Sequence, residues 1–149
     1  MADRIERTVA TNIAEEAFFA QFENFTADEM RCKCGTCAMP INDPEFVSFM
    51  RMAQGLRDFL DFPWRLNSGY RCSRYNDQIY VDQGSEPGEH LDGPHTKGAM
   101  DIGVSFERMY LLVKGAMARE MGVGVKQHGP VAKRYVHLDN LGSRFWTYA

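Results

Sequence analysis

The run HTKGAMD, His95 to Asp101, continued by Ile102, Gly103 and Val104, decides how the fold of this chain is read. Successive side chains of a strand point to opposite faces, so Met100, Ile102 and Val104 share one face and leave Asp101 on the other. A second run, YVHLD at Tyr135 to Asp139, has the same construction. Val136 and Leu138 face one way, and Tyr135, His137 and Asp139 face the other. Two strands with apolar backs and polar fronts bring two histidines and two aspartates towards one space. Two histidines and a carboxylate, with water in a fourth position, form the donor set of a catalytic zinc ion.

The rest of the chain supplies packing around these pieces. With 149 residues a single domain over the whole length is expected, with residues 1–25 as an N-terminal helical extension. Hydrophobic residues make up 44% and charged residues 25%, the balance of an ordinary globular protein. The net charge is −3 and Lys and Arg never form a run, so a nucleic-acid partner is not expected. No apolar stretch reaches membrane-spanning length, and membrane insertion is not expected either. The start, MADRIERTVA, lacks the apolar core of a secretory signal, which predicts synthesis in the cytoplasm.

Phe18, Phe22 and Phe25, spaced by four and three, predict an amphipathic helix over 11–25. Thr26 with Glu29 has the form of a capping box. Asp43-Pro44 opens the clearest helix, because aspartate caps the first free amides and proline suits the first helical position. Phe46, Phe49, Met50, Ala53, Leu56 and Leu60 give it a core-facing stripe, and Pro63 lies beyond its end. Trp64–Ser68 reads as a strand, and Ser73–Tyr80 as a helix capped by Ser73. From Val81 to Pro94 the glycines, prolines and acidic residues predict a flexible surface loop lining a site. After the strand at Ala99–Val104, Ser105 should cap a helix whose stripe is Phe106, Met109, Leu112, Val113, Ala116 and Met117. Gly122 should close that helix. Val123–Gln127 and Arg134–Asp139 then form a hairpin, and Trp146 and Tyr148 pack or line a groove. The expected fold is α+β, a small antiparallel sheet with helices on one side.

Four cysteines stand in an uneven pattern, CxCxxC at Cys32, Cys34 and Cys37, and Cys72 apart. Without a secretory signal a disulfide framework is not the default. The residues leave two readings open, a structural zinc held by four thiolates or buried thiols, and the tight Cys-x-Cys spacing favours the thiols.

Several blocks in order resemble a known family. They are EMRCKCGTC at Glu29–Cys37, NSGYRCSRYN at Asn67–Asn76, GPHTKGAMDI at Gly93–Ile102, and GVGVKQHG with RYVHLDN towards the end. Together they are similar to the zinc D-alanyl-D-alanine carboxypeptidases, whose superfamily includes lysostaphin and the Hedgehog signalling domain. Small phage and prophage members are the nearest in pattern. The resemblance runs from about Phe25 to Tyr148 and implies a zinc peptidase of the bacterial cell wall, a monomer acting on the peptidoglycan stem peptide as carboxypeptidase or endopeptidase. It implies His95, Asp101 and His137 as ligands of one catalytic zinc, Asp139 as general base, and Arg71 as a substrate-binding residue. His128, near the start of the final hairpin, reads either as a substrate-binding group that stabilises an oxyanion or as a plain loop histidine. Ser68, Tyr70 and Asn76 would shape the turn, and His90 would lie in solvent. A second ion, at the cysteines, stays open. An endolysin of this kind would act at the cell wall or periplasm and reach it through a membrane pore. The alternative is a non-catalytic zinc-binding domain that holds a wall or protein ligand. One departure feeds that alternative: five residues separate His95 from Asp101 where the family motif leaves six. A one-residue slip would turn Asp101 to the wrong face. A tightened turn at Thr96–Gly98 is expected to absorb it.

Overall fold

The alternating strands of the two motifs lie side by side at the middle of a sheet, in a computed structural model that describes residues 7–149. The first six residues of the expected N-terminal extension, and most of the segment read for a signal, lie outside the described residues. The strands are β1 (Leu66–Ser68), β2 (Ala99–Ile102), β3 (Gly122–Lys126), β4 (Tyr135–Asp139) and β5 (Arg144–Thr147). Their order across the sheet is β1-β2-β4-β3-β5. Three of the pairings are antiparallel, and β5 runs parallel to β3, so the sheet is mixed rather than purely antiparallel. The reason is spatial. The chain reverses after β4 at Asn140–Ser143, where Gly142 has φ +113°. Both flanks of β4 are already taken by β2 and β3, so the reversed strand joins the free edge of β3.

One face of the sheet is the core. Met100, Ile102, Val123, Val136 and Leu138 are fully buried there and pack into one cluster with Phe46, Phe49, Met50, Ala53 and Leu56 of α3 (Pro44–Leu60). Each of these side chains other than Ala53 contributes about 1.5–3 kcal/mol through apolar burial. Asp43 caps α3 as its sequence demands, accepting from Glu45 N, and Asp61 ends it in the left-handed region at φ 52°. The second core helix, α6 (Phe106–Ala118), buries Leu112 and Ala116 but leaves Phe106 and Met117 exposed, so its stripe is narrower than expected. It stops at Ala118. Gly122 does not close it but opens β3, for a reason that belongs to the site.

The N-terminal half wraps the other end of the core. The first helix, α1 (Val9–Phe19), is shorter than expected, and Phe22 and Phe25 enter the core from the chain that follows it. Glu15 locks α1 down: fully buried, it accepts from Met39 N at 3.1 Å and pairs with Arg31. Thr26 and Glu29 make the expected capping box on α2 (Ala27–Met30), a cap worth about 1 kcal/mol. The Cys32–Cys37 loop leads from α2 back towards α3. After β1, α4 (Ser73–Val81) begins at its expected cap residue, so that Cys72 occupies the cap position instead. A one-turn helix, α5 (Pro94–Lys97), delivers the chain to β2. Among the described residues no helix is long and apolar enough to cross a membrane.

Candidate metal centre and its groove

On the face of the sheet away from the core, the register places Asp101 of β2 directly opposite His137 of β4. The His137 Nδ1 edge meets Asp101 Oδ1 at 3.0 Å, and His95 Nε2 reaches the same oxygen at 3.3 Å. The ligating atoms of His95, Asp101 and His137 all lie within 4.8 Å of one another, and all three residues are buried. The shortened His95–Asp101 spacing is absorbed at Gly98. Its φ of +146° and ψ of 109° are open only to glycine, and they turn α5 into β2 within one residue. A Cβ there would stand 3.1 Å from Phe49 Cβ. Asp101 therefore keeps the face that the strand pattern predicts.

The far edge of each imidazole is fixed. His95 Nδ1 donates to the Gly69 carbonyl at 2.7 Å, which leaves the Nε2 lone pair free to face Asp101. His137 Nε2 donates to Asp139 Oδ2 at 2.8 Å, which leaves Nδ1 as the free base. Such partners hold a ligand histidine in one tautomer and raise its basicity. In the metal-free site protons take the place of an ion between these facing atoms: burial pushes the Asp101 carboxyl up, but the hydrogen bonds from His137 and His95 outweigh it and hold the group well below the usual carboxylate range. Burial pushes His137 down, and its bonds to Asp101 and Asp139 more than reverse this. Two imidazole nitrogens and a carboxylate oxygen, bare towards one another and anchored behind, fit a zinc ion that keeps a position for water.

Asp139 does not sit where a general base should. It is fully buried on the opposite ring edge of His137 from Asp101, and its oxygens accept from His137, from Leu141 N at 3.0 Å and from Arg144 at 2.7 and 2.8 Å. Burial raises its carboxyl, while the His137, Leu141 and Arg144 bonds prevail and lower it. With its lone pairs filled and no face towards the three-ligand space, it is placed to orient His137.

Strand β3 makes this possible by omission. Across the sheet, Gly122 stands between Asp139 and Arg144, and Gly124 between His137 and Trp146. A Cβ on Gly122 would lie 2.2 Å from Asp139 Oδ1, and one on Gly124 would lie 2.5 Å from the Trp146 ring. The two glycines clear a channel through which Arg144 reaches Asp139 and Trp146 packs 5.2 Å from the His137 ring. The sequence signal was present in GVGVK, since strand glycines mark close approach. Arg144 and Trp146 were not assigned to the site because nothing local shows that β5 pairs with β3.

A family model described as peptidase M15 matches residues 23–139. The chain belongs to the peptidase M15 family. No curated protein and no solved structure matches it. The M15 peptidases are zinc enzymes, and membership supports zinc metallopeptidase chemistry at the cluster just described. The match begins after α1, so that helix lies outside the family region.

Beside the M15 ligand cluster runs a groove of about 620 Å³, lined in part by Lys33, Arg65, Arg71, Lys133 and Tyr135, with Asp101 as the one acidic residue of its lining among the described residues. Arg71 is half-buried: Ser68 Oγ accepts from its Nε at 3.1 Å, Asn76 Oδ1 from Nη1 at 3.4 Å, and Asp101 Oδ2 from Nη2 at 3.4 Å. Ser68 and Asn76 thus hold the guanidinium as well as the turn. Burial and the nearby Asp101 carboxylate push the Tyr135 phenol up, so it remains a proton-bearing donor at neutral pH. His128 is exposed in the loop after β3 and stands outside both the cluster and the groove lining. His90 is not free in solvent. It is half-buried, stacks on Tyr80 with centroids 3.9 Å apart, and its amide donates to Asp77. Asp77 also accepts from Gly88 N, and Asn76 Nδ2 donates to the His90 carbonyl, so the acidic loop is tied back onto α4. Tyr75 and Ile79 of α4, rather than that loop, wall the groove.

Proposed function

We propose that the protein is a zinc-dependent peptidase that hydrolyses a peptide bond in the peptidoglycan stem, as a D-Ala-D-Ala carboxypeptidase or endopeptidase of endolysin type. One observation carries the reading. The three-ligand cluster opens beside a groove lined, among the described residues, by four cationic side chains and a single acid, the ligand Asp101. Such a field favours a substrate with free carboxylates, as stem peptides have. His95, Asp101 and His137 would hold the ion. Zinc, when bound, polarises a carbonyl and lowers the pKa of a coordinated water.

The remaining roles fall to this chain's own groups. Arg71, preset by Ser68 and Asn76, offers a planar fork to a substrate carboxylate or carbonyl. Tyr135 donates a hydrogen bond to charge that develops on the scissile oxygen. Asp139 orients His137, in place of the general-base role expected from the resemblance. The non-catalytic alternative drew on the shortened motif, and Gly98 removes that support.

Incubation of the purified protein with peptidoglycan, with and without chelator, followed by mass spectrometry of the fragments, tests the proposal. Chelator-sensitive release of stem-peptide fragments, absent in His137→Ala, is expected. Stoichiometric zinc without cleavage of any stem peptide would favour the binding domain.

A further inference from the structure

The four cysteines gather at a second point, outside the groove. Cys32, Cys37 and Cys72 are buried and Cys34 is half-buried, and the four sulfurs lie within 4.8 Å of one another. Cys72 Sγ stands 3.8 Å from Cys32 Sγ and 3.9 Å from Cys34 Sγ. A disulfide would need about 2.05 Å. A tetrahedral zinc with Zn–S bonds of about 2.3 Å has sulfur–sulfur edges of about 3.8 Å. The separations fit the second arrangement.

Three further features favour a site over a chance contact of thiols. The cysteines form a cluster of their own, apart from the main core, with the half-buried rings of Tyr70 and Tyr75 packed against it. Their sulfurs therefore face one another rather than the apolar interior where a core thiol would point. Backbone amides already address the sulfurs: Cys72 N donates to Cys32 Sγ at 3.4 Å and Thr36 N to Cys34 Sγ at 3.5 Å. Such bonds stabilise thiolate charge and fix ligand direction. Cys34 and Cys37 also have the C-x2-C spacing of zinc-binding pairs. Gly35 makes the bend between them at φ +77°, with its amide on the Cys32 carbonyl.

We propose that Cys32, Cys34, Cys37 and Cys72 bind a structural zinc ion, distinct from the histidine–aspartate centre, that pins the Cys32–Cys37 loop to the turn carrying Arg71. The four protein ligands close the coordination shell, so the site is structural rather than catalytic. Its position gives it a task. Arg71 is the neighbour of Cys72, and its amide donates to the His95 carbonyl at 3.0 Å. Gly69, in the same turn, accepts from His95 Nδ1. Tyr70 N donates to the Met30 carbonyl just before the cysteine loop, and a Cβ on Gly69 would come within 2.8 Å of Met30 Cα. An ion at the thiolates would hold in place the backbone that aims both Arg71 and His95.

The test is elemental analysis of the full chain purified under reducing conditions with zinc present, together with the absorption spectrum after cobalt(II) replaces the zinc. Two zinc ions per chain are expected, falling to one in His137→Ala and to one in Cys34→Ser/Cys72→Ser. The cobalt protein should show intense sulfur-to-cobalt charge transfer, retained in His137→Ala. Cys72→His, which keeps a ligand, should restore the second ion with a weaker charge-transfer band. If the double serine variant does not fold, the wild-type spectrum and Cys72→His decide. Wild-type cobalt protein without charge transfer, four thiols open to titration in the zinc-loaded native protein, or an intact mass showing disulfides would overturn the proposal. A protein that holds thiolate-bound metal yet cleaves no stem peptide would leave this site standing and remove the proposed function, so the two readings fail separately.

Discussion

One cluster of ligating atoms in this protein is carried by strands, the other by a loop and a turn. Asp101 and His137 face each other across paired strands, and only His95 comes from a short helix. The cysteines come from the Cys32–Cys37 loop and the cap residue of α4. The donor sets differ in the same sense. The strand-borne cluster offers three protein atoms and so leaves a position for water, whereas the thiol cluster offers four and closes. A sheet face can present an open site because the hydrogen-bonded ladder holds its ligands whether or not a metal is there. A loop has no such ladder, and the metal itself would have to supply the rigidity.

Stepwise chelation gives the largest contrast between the two. The histidine centre, open and with fewer ligands, should lose its metal first, and peptidase activity should fall to background while the thermal midpoint changes little. Cleavage assays and melting curves at matched chelator concentrations check this, and simultaneous loss of activity and stability would break the contrast. Next in size is Asp139→Asn, which keeps the shape but weakens the orienting bond to His137. It should cost about 10–100-fold in zinc affinity at the histidine centre and leave the thiol centre untouched, as competition with a metallochromic chelator would read out.

Gly122→Ala tests how the strand-borne site is supported. Its Cβ would meet Asp139 Oδ1, and overpacking of this kind costs about 1–3 kcal/mol. Denaturant unfolding should show that loss with an unchanged m-value. The smallest effect concerns pH in the metal-free protein. Asp101 and Asp139 are held below their ordinary 3.8, so their stabilisation is complete above that value and is lost as pH falls through the folded-state pKa. His137 is raised above 6.5, so its contribution is complete below 6.5 and is lost as pH rises through its folded-state pKa. The chelated protein should therefore melt highest between those limits. The zinc-loaded protein should lack the alkaline decline, because zinc uses the neutral imidazole.

Much of the architecture is legible in local pattern. Asp43-Pro44 and the α3 stripe, the Thr26–Glu29 box, and the alternation in Ala99–Val104 and Arg134–Asp139 all depend on near neighbours in sequence, and all appear, the two strands shortened to Ala99–Ile102 and Tyr135–Asp139. Gly122 misled because a glycine after a helical stripe has the form of a cap. Its actual reason, the passage of Arg144 to Asp139, comes from a strand more than twenty residues away. Asp139 misled similarly. Its place beside a ligand was visible, but not that Arg144 and Leu141 saturate it.

The sequence by itself determined the faces, because side-chain alternation in a strand is a covalent fact. Once Met100, Ile102, Val136 and Leu138 seek the core, Asp101, His137 and Asp139 must share the other side. Only the tertiary structure decided which atoms meet there. Strand order brought β5 beside β3 and gave His137 its Trp146 wall and Asp139 its Arg144 partner. The turn at Gly69–Cys72 joined His95 to the thiol cluster. These are long-range pairings, set by which edges and cavities remain free once the core has formed, and no local spacing encodes them.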